Sequence, residues 1–263
     1  LWWKDGRPEE IVADHPLVLL GLFIGAGVAG WVDAIAGGGG MLTIPLLLWA
    51  GLPPAAVLGT NKFQASFGSS TAAVYHVRKG VVSLREALPG IIWTAIGAAL
   101  GAWSVQRIPS SALGAIIPGL LLAIAIYALV TPNLGERHSA PRMRVSLFYV
   151  TLGLSLGFYD GFFGPGVGSF WAIAFVILLG YVLTKATGYT KVMNFTSNIV
   201  SLVVFLIGGQ VFFLPGIIMA AGQVVGSRIG SGMVLRRGAR FIRPIFVTMV
   251  ILTTLKLIAG RYF

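Results

Sequence analysis

Two acids stand where acids are costly. Asp33 lies inside an apolar run, "GWVDAIAGGGGMLTIP" (30–45), and is followed by Gly37, Gly38, Gly39 and Gly40. Asp160 repeats the arrangement in "GFYDGFFGPGVGSFW" (157–171), ahead of Gly164, Pro165, Gly166 and Gly168. Of the eight acids, the other six (Asp5, Glu9, Glu10, Asp14, Glu86 and Glu136) fall in the tail or in polar loops. A charged side chain at the centre of a bilayer costs at least about 2.5 kcal/mol. Each of the two is therefore a functional candidate. Such an acid can carry a proton coupled to transport, or it can cap N–H groups of a broken helical turn. Beside an anion an ionised carboxylate would be repulsive, so a protonated or capping acid is expected.

The glycines have a chemistry of their own. A helix start exposes unpaired N–H groups and about half a positive charge. Glycines there let a ligand approach the backbone, which makes an anion site. The other reading of glycine is close helix packing, which suits Gly97 and Gly101 and the matching Gly222 and Gly226. Lys62 in "LGTNKF" (58–63) aligns with Lys191 in "TGYTKV" (187–192). These cations can attract an anion or snorkel to the interface. Polar side chains surround each lysine: Asn61, Gln64, Ser66, Ser69, Ser70 and Thr71, then Asn194, Thr196, Ser197, Asn198 and Ser201. They line a pathway or bond neighbouring helices, and Gln223 is a weaker candidate of the same kind. The expected substrate site is Gly37, Gly38, Gly39, Gly40, Asn61, Lys62, Gln64, Gly164, Gly166, Gly168, Lys191, Asn194 and Asn198, with Asp33 and Asp160 as coupling residues.

The elements that must hold these residues are membrane helices. Hydrophobic residues make up 56% of the 263 and charged ones 10%, and several apolar runs are long enough for a bilayer. Continuous rather than alternating runs argue against a β-barrel. The absence of cysteine excludes disulfides and thiolate chemistry. His15, His76 and His138 fall in polar or loop stretches, so no metal site is expected, and no cofactor. The net charge of +11 reflects Lys and Arg gathered in loops, as the positive-inside rule describes; no nucleic acid partner is expected. Because the chain opens on Leu1, a processed or truncated start is expected.

The runs fall into two matched sets. A polar tail (1–15) precedes a first repeat (16–131), a basic cytoplasmic linker (132–144) and a second repeat (145–263). Each repeat has two arms around its glycine break and then three apolar runs: about 61–77, 87–105 and 111–131, then about 188–208, 213–232 and 241–259. Asp160 follows Asp33 by 127 residues, and "LPGII" recurs at 88–92 and 214–218. The basic loops 76–86, 131–144 and 228–243 can all face inside only if each broken pair of arms enters and leaves on one side. The fold expected is an all-α polytopic membrane protein with two inverted-topology repeats. Each repeat is a glycine-broken hairpin, spanning or re-entrant, plus three transmembrane helices. Both termini then lie outside.

The motifs "VDAIAGGGGMLTIPLLL" (32–48), "LGTNKFQASFGS" (58–69), "GFYDGFFGPGVGSF" (157–170), "TKVMNFTSN" (190–198) and "MAAGQVVGSRIGS" (219–231) resemble the sulfite exporter TauE/SafE family. The resemblance runs from about residue 16 to 260. It implies a multi-pass transporter of the bacterial inner membrane that moves sulfite, organosulfonates or related anions. The partners expected are a small anion and the lipid bilayer, with a homodimer left open. A passive anion channel and a cation transporter using Asp33 and Asp160 are the rival readings. An intramembrane enzyme lacks any Ser/His or thiol constellation.

Overall fold

A computed structural model describes residues 15–130 and 140–237 of the chain. Most of the expected tail, the first part of the linker and the run at 241–259 lie outside the described residues. Among the described residues the chain is helical: α1 (Pro16–Ala36), α2 (Gly40–Trp49), α3 (Pro54–Arg78), α4 (Leu84–Val105), α5 (Ser110–Val130), α6 (Val145–Phe162), α7 (Val167–Leu179), α8 (Leu183–Ile207) and α9 (Phe213–Arg237). Five of these are long and apolar enough to cross a membrane.

Local chemistry sets the ends. Proline at the first helical position costs no hydrogen bond, and Pro16 and Pro54 open α1 and α3. The "GLPP" turn is thus the start of α3, seven residues before the expected run at 61. Ser83 caps α4, its hydroxyl accepting from the Glu86 N–H at 3.4 Å. Gly37 ends α1 at φ 75°, a left-handed conformation that glycine adopts without strain.

The helices flanking the breaks explain the hairpins. The second arms, α2 and α7, have 10 and 13 residues. At 1.5 Å per residue they reach about 15 and 20 Å, short of a hydrocarbon layer of about 30 Å. They are half-depth arms. Each sits in its own apolar core: Ile44 and Leu47 of α2 pack with Leu22, Val57 and Phe163, and Trp171 and Phe175 of α7 with Phe148, Tyr149 and Tyr189. The glycine breaks lie between the two cores.

The repeats exchange elements. The most extensive helix contacts are α1 on α9 and α6 on α4, one the counterpart of the other. Backbones touch there. A Cβ on Gly226 would lie 1.8 Å from the Gly27 oxygen, and one on Gly97 2.4 Å from the Leu154 oxygen. Gly230 meets Trp31 as Gly101 meets Phe158. These contacts correct the expected register: Gly97 and Gly101 correspond to Gly226 and Gly230, one helical turn beyond Gly222 and Gly226. The "LPGII" recurrence is out of step for the same reason. The glycines do pack helices, as small residues do in lipid.

Counterparts α3 and α8 run antiparallel. Gly59 near the start of α3 abuts Phe205 and Gln210, while Gly188 near the start of α8 abuts His76. On the outer surface, Leu84, Leu88, Ile92, Ile96 and Leu100 of α4 form an exposed stripe with the period of a lipid-facing helix side.

Candidate functional site

The two breaks meet. A Cβ on Gly37 would lie 2.5 Å from the Gly168 Cα, and the reverse holds at the same distance. No side chain fits at either position. The Ser169 N–H donates to the Gly37 carbonyl at 3.2 Å, tying the start of α7 to the end of α1. The sequence places glycine here because two backbones cross.

Within the first break, Asp33 holds the turn. Its Oδ1 accepts from the Gly39 N–H at 3.2 Å, and its carbonyl accepts from the Gly37 N–H at 2.9 Å. This is the expected capping role. Thr43, in the first turns of α2, donates to the Asn61 Oδ1 at 2.5 Å, and the Gln64 amide donates to the same oxygen at 2.8 Å. Asn61 Oδ1 is thereby occupied, which leaves its amide N–H groups as donors.

The lysines cross between repeats. Lys62 of the first repeat lies 2.6 Å from the Asp160 carboxylate of the second and also donates to the Asp160 carbonyl. Lys191 of the second repeat lies 3.3 Å from the Asp33 carboxylate of the first and donates to the Asp33 carbonyl. Each lysine side chain is 1% exposed. The snorkelling alternative therefore does not describe them. Neither acid stands alone, so the repulsion anticipated for an ionised acid is offset by an ammonium in each half. Asp160 is held by Lys62 and by the Ser197 hydroxyl, which donates to its second oxygen.

A small cavity that opens outward lies at the crossing. Asp33, Gly37, Gly38, Gly39, Gly40, Asn61, Lys62, Gln64, Asp160, Gly164, Gly166, Gly168, Asn194 and Asn198 all line it. Of the expected residues Lys191 does not line it; it stands behind Asp33. Ala65, Val167 and Gln223 complete the wall. Only Gln223 had a signal in the sequence, an amide in an apolar helix. Two buried oxygens at the wall, Gln64 Oε1 and Asn194 Oδ1, have no hydrogen-bond partner among the described residues. Buried polar atoms are rarely left so without a ligand or water. A half-turn of the Asn194 amide exchanges its acceptor for donors, whereas Gln64 is held as it stands by its bond to Asn61.

The wall therefore combines amide donors, glycine backbone and one lysine. Asp33 and Asp160 balance Lys62 and Lys191, so the site as it stands is neutral. Among the described residues there is no group of three or more His, Asp or Glu that could hold a metal ion. One placement differs from the sequence reading. His76 is no loop residue: it is fully buried near the end of α3, and both ring nitrogens lack a partner among the described residues. His138 lies outside the described residues.

The profile of the family described as "Sulfite exporter TauE/SafE" matches residues 22–257. A "Probable membrane transporter protein" of Haemophilus influenzae is 46% identical over 237 residues, 90% of this chain and 93% of that protein. The "Probable membrane transporter protein YfcA" of Escherichia coli K12 is 46% identical over 243 residues, 92% of this chain and 90% of that one. A more distant relative, the "Probable membrane transporter protein YjnA" of Bacillus subtilis, is 23% identical over 254 residues, 92% of this chain and 98% of its own. No solved structure matches the chain.

Proposed function

Since this chain belongs to the sulfite exporter TauE/SafE family of membrane transporters, we propose that it carries a small sulfur-containing oxyanion, such as sulfite or an organosulfonate, across the bacterial inner membrane. The anion binds where the two glycine breaks cross. The observation that carries this reading is the cavity wall itself. It joins glycine backbone from both breaks, the amides of Asn61, Asn194 and Asn198, and the Lys62 ammonium. Helix starts and amide donors favour negative charge. A cation would meet two carboxylates that are already paired, which argues against the cation reading. The family supports transport over catalysis.

The antiparallel run of α3 against α8 supports inverted repeats. A two-fold axis in the membrane plane reverses counterpart helices, whereas an axis along the normal keeps them parallel. Inversion suits alternating access, in which one repeat rocks against the other around a shared site. A passive channel would need an unbroken path; the backbones touching at Gly37 and Gly168 favour a gated carrier.

The test is a thermal-shift panel on purified protein with sulfite, thiosulfate, sulfate, sulfoacetate and taurine, against NaCl and KCl at matched ionic strength. A ligand at a hundredfold its Kd stabilises by about 2.7 kcal/mol. At least one sulfur anion is expected to raise the midpoint saturably, with the chlorides inert. Stabilisation by Na⁺ or K⁺ alone, or by nothing, would overturn the reading. Counterflow in proteoliposomes separates carrier from channel.

A further inference from the structure

The two acid–lysine pairs are matched in sequence but not in surroundings. Lys62 and Asp160 are 2.6 Å apart, with side chains 1% and 3% exposed. Ser197 bonds the second Asp160 oxygen, and a Cβ on Gly164 would lie 2.7 Å from the first. That pair is almost wholly buried, although both residues line the cavity. Lys191 and Asp33 are 3.3 Å apart, and the Asp33 side chain is 22% exposed, toward the cavity. The position corresponding to Ser197 in the first repeat is Gly68, where the Gln223 side chain fills the space. Asp33 thus lacks the hydroxyl that locks Asp160.

We propose that Asp33 takes up one proton when a monoanion binds, so that anion and proton cross together, while Asp160 stays locked in its ion pair. The proposal rests on the transport reading and names its coupling residue. The argument is charge balance. Two lysines and two carboxylates sum to zero, so a monoanion alone leaves one net negative charge in a buried site. Uncompensated buried charge is strongly unfavourable. One proton on a carboxylate restores neutrality, and of the two acids that line the cavity Asp33 is the more exposed.

The neighbours leave no better acceptor. From α8, Asp33 faces Lys191; across the cavity are Lys62 of α3 and Asp160 of α6. On α9, Gln223 and Ser227 lie one turn away, against Gly30. The α2 side presents the Gly39 N–H, and α7 presents backbone and Ser169. His76 of α3 is not part of the cavity wall.

The probe is ethanesulfonate, which stays a monoanion between pH 5 and 8, so any pH dependence belongs to the protein. Calorimetric titration of purified protein in two buffers of different ionisation enthalpy counts protons taken up per anion. Wild type is expected to take up about one near pH 7, with affinity falling about tenfold per pH unit above that. Asp33→Asn should take up none and show flat affinity; Ser197→Ala should still take up about one. Where Asp33→Asn does not yield monodisperse protein, Lys191→Met serves. Removing the ammonium changes the charge balance that drives the uptake, so the affinity curve should move along the pH axis from that of wild type. An unmoved curve there, no uptake in wild type, or uptake kept in Asp33→Asn would overturn the proposal. So would failure of ethanesulfonate to bind at every pH. If a panel anion binds in any of those cases, the transport reading survives without this coupling.

Discussion

Lys62 and Lys191 do the same work in opposite halves, each crossing to the break that the other repeat supplies. The sequence showed them as a matched pair but could not choose between anion attraction and snorkelling. The reason is separation: Lys62 and Asp160 are 98 positions apart, and only the crossing of the repeats brings them together. The polar residues behaved differently. Asn61, Gln64, Asn194 and Asn198 were legible because amides in an apolar helix need a purpose, and all four line the cavity. His76 was not, because a histidine beside Arg78 and Lys79 reads as a loop until the α3 end is seen to be buried. The buried pair carries a stability prediction. Removing one partner of such a pair costs about 3–5 kcal/mol, because the other charge is stranded. Lys62→Met should therefore lower thermal stability in detergent far more than the double variant Lys62→Met/Asp160→Leu, which strands nothing. A double variant no more stable than Lys62→Met would show that the pair does not hold the fold.

The breaks were legible at the level of helices, since runs of Gly and a Gly-Pro-Gly sequence cannot continue an α-helix in lipid. Arm α1 and arm α6 end where the glycines begin. Helix register was less legible. Gly222 and Gly226 look like the partners of Gly97 and Gly101, yet the backbone contacts place Gly226 and Gly230 there. Glycine every four residues offers several equivalent alignments, and only the packed neighbour selects one. That packing makes its own prediction. A Cβ on Gly226 would lie 1.8 Å from the Gly27 oxygen, so Gly226→Ala must push α9 off α1. Overpacking of this kind costs about 1–3 kcal/mol. Gly21→Ala, which meets nothing within 4 Å, should leave the unfolding midpoint unchanged. Equal midpoints for Gly226→Ala and wild type would remove the close contact from the account.

The chain as a whole was read as two inverted repeats from loop charge, an argument that needs only the side on which Lys and Arg gather. What it could not supply is the crossing of the breaks, because hydropathy has no information on which backbones touch. The antiparallel α3 and α8 place Lys79 and Gln210 at opposite ends of the bundle. In this cysteine-free chain, Lys79→Cys should react with an impermeant thiol reagent only from the inside and Gln210→Cys only from the outside. Labelling of both from one side would contradict inversion. The anion site itself is tested by filling it. Gly40 is the position to use: a Cβ there makes ordinary contact with Pro165 at 3.4 Å, whereas at Gly39 it would lie 2.9 Å from the Asp33 Cβ. Gly166, at φ 81°, would be strained by any side chain. The measurement is a titration of the best-binding sulfur anion against folded Gly40→Leu, with Gly21→Leu as the control. The account predicts at least about tenfold weaker binding in Gly40→Leu, about 1.4 kcal/mol, and wild-type binding in Gly21→Leu; wild-type affinity in Gly40→Leu would contradict it.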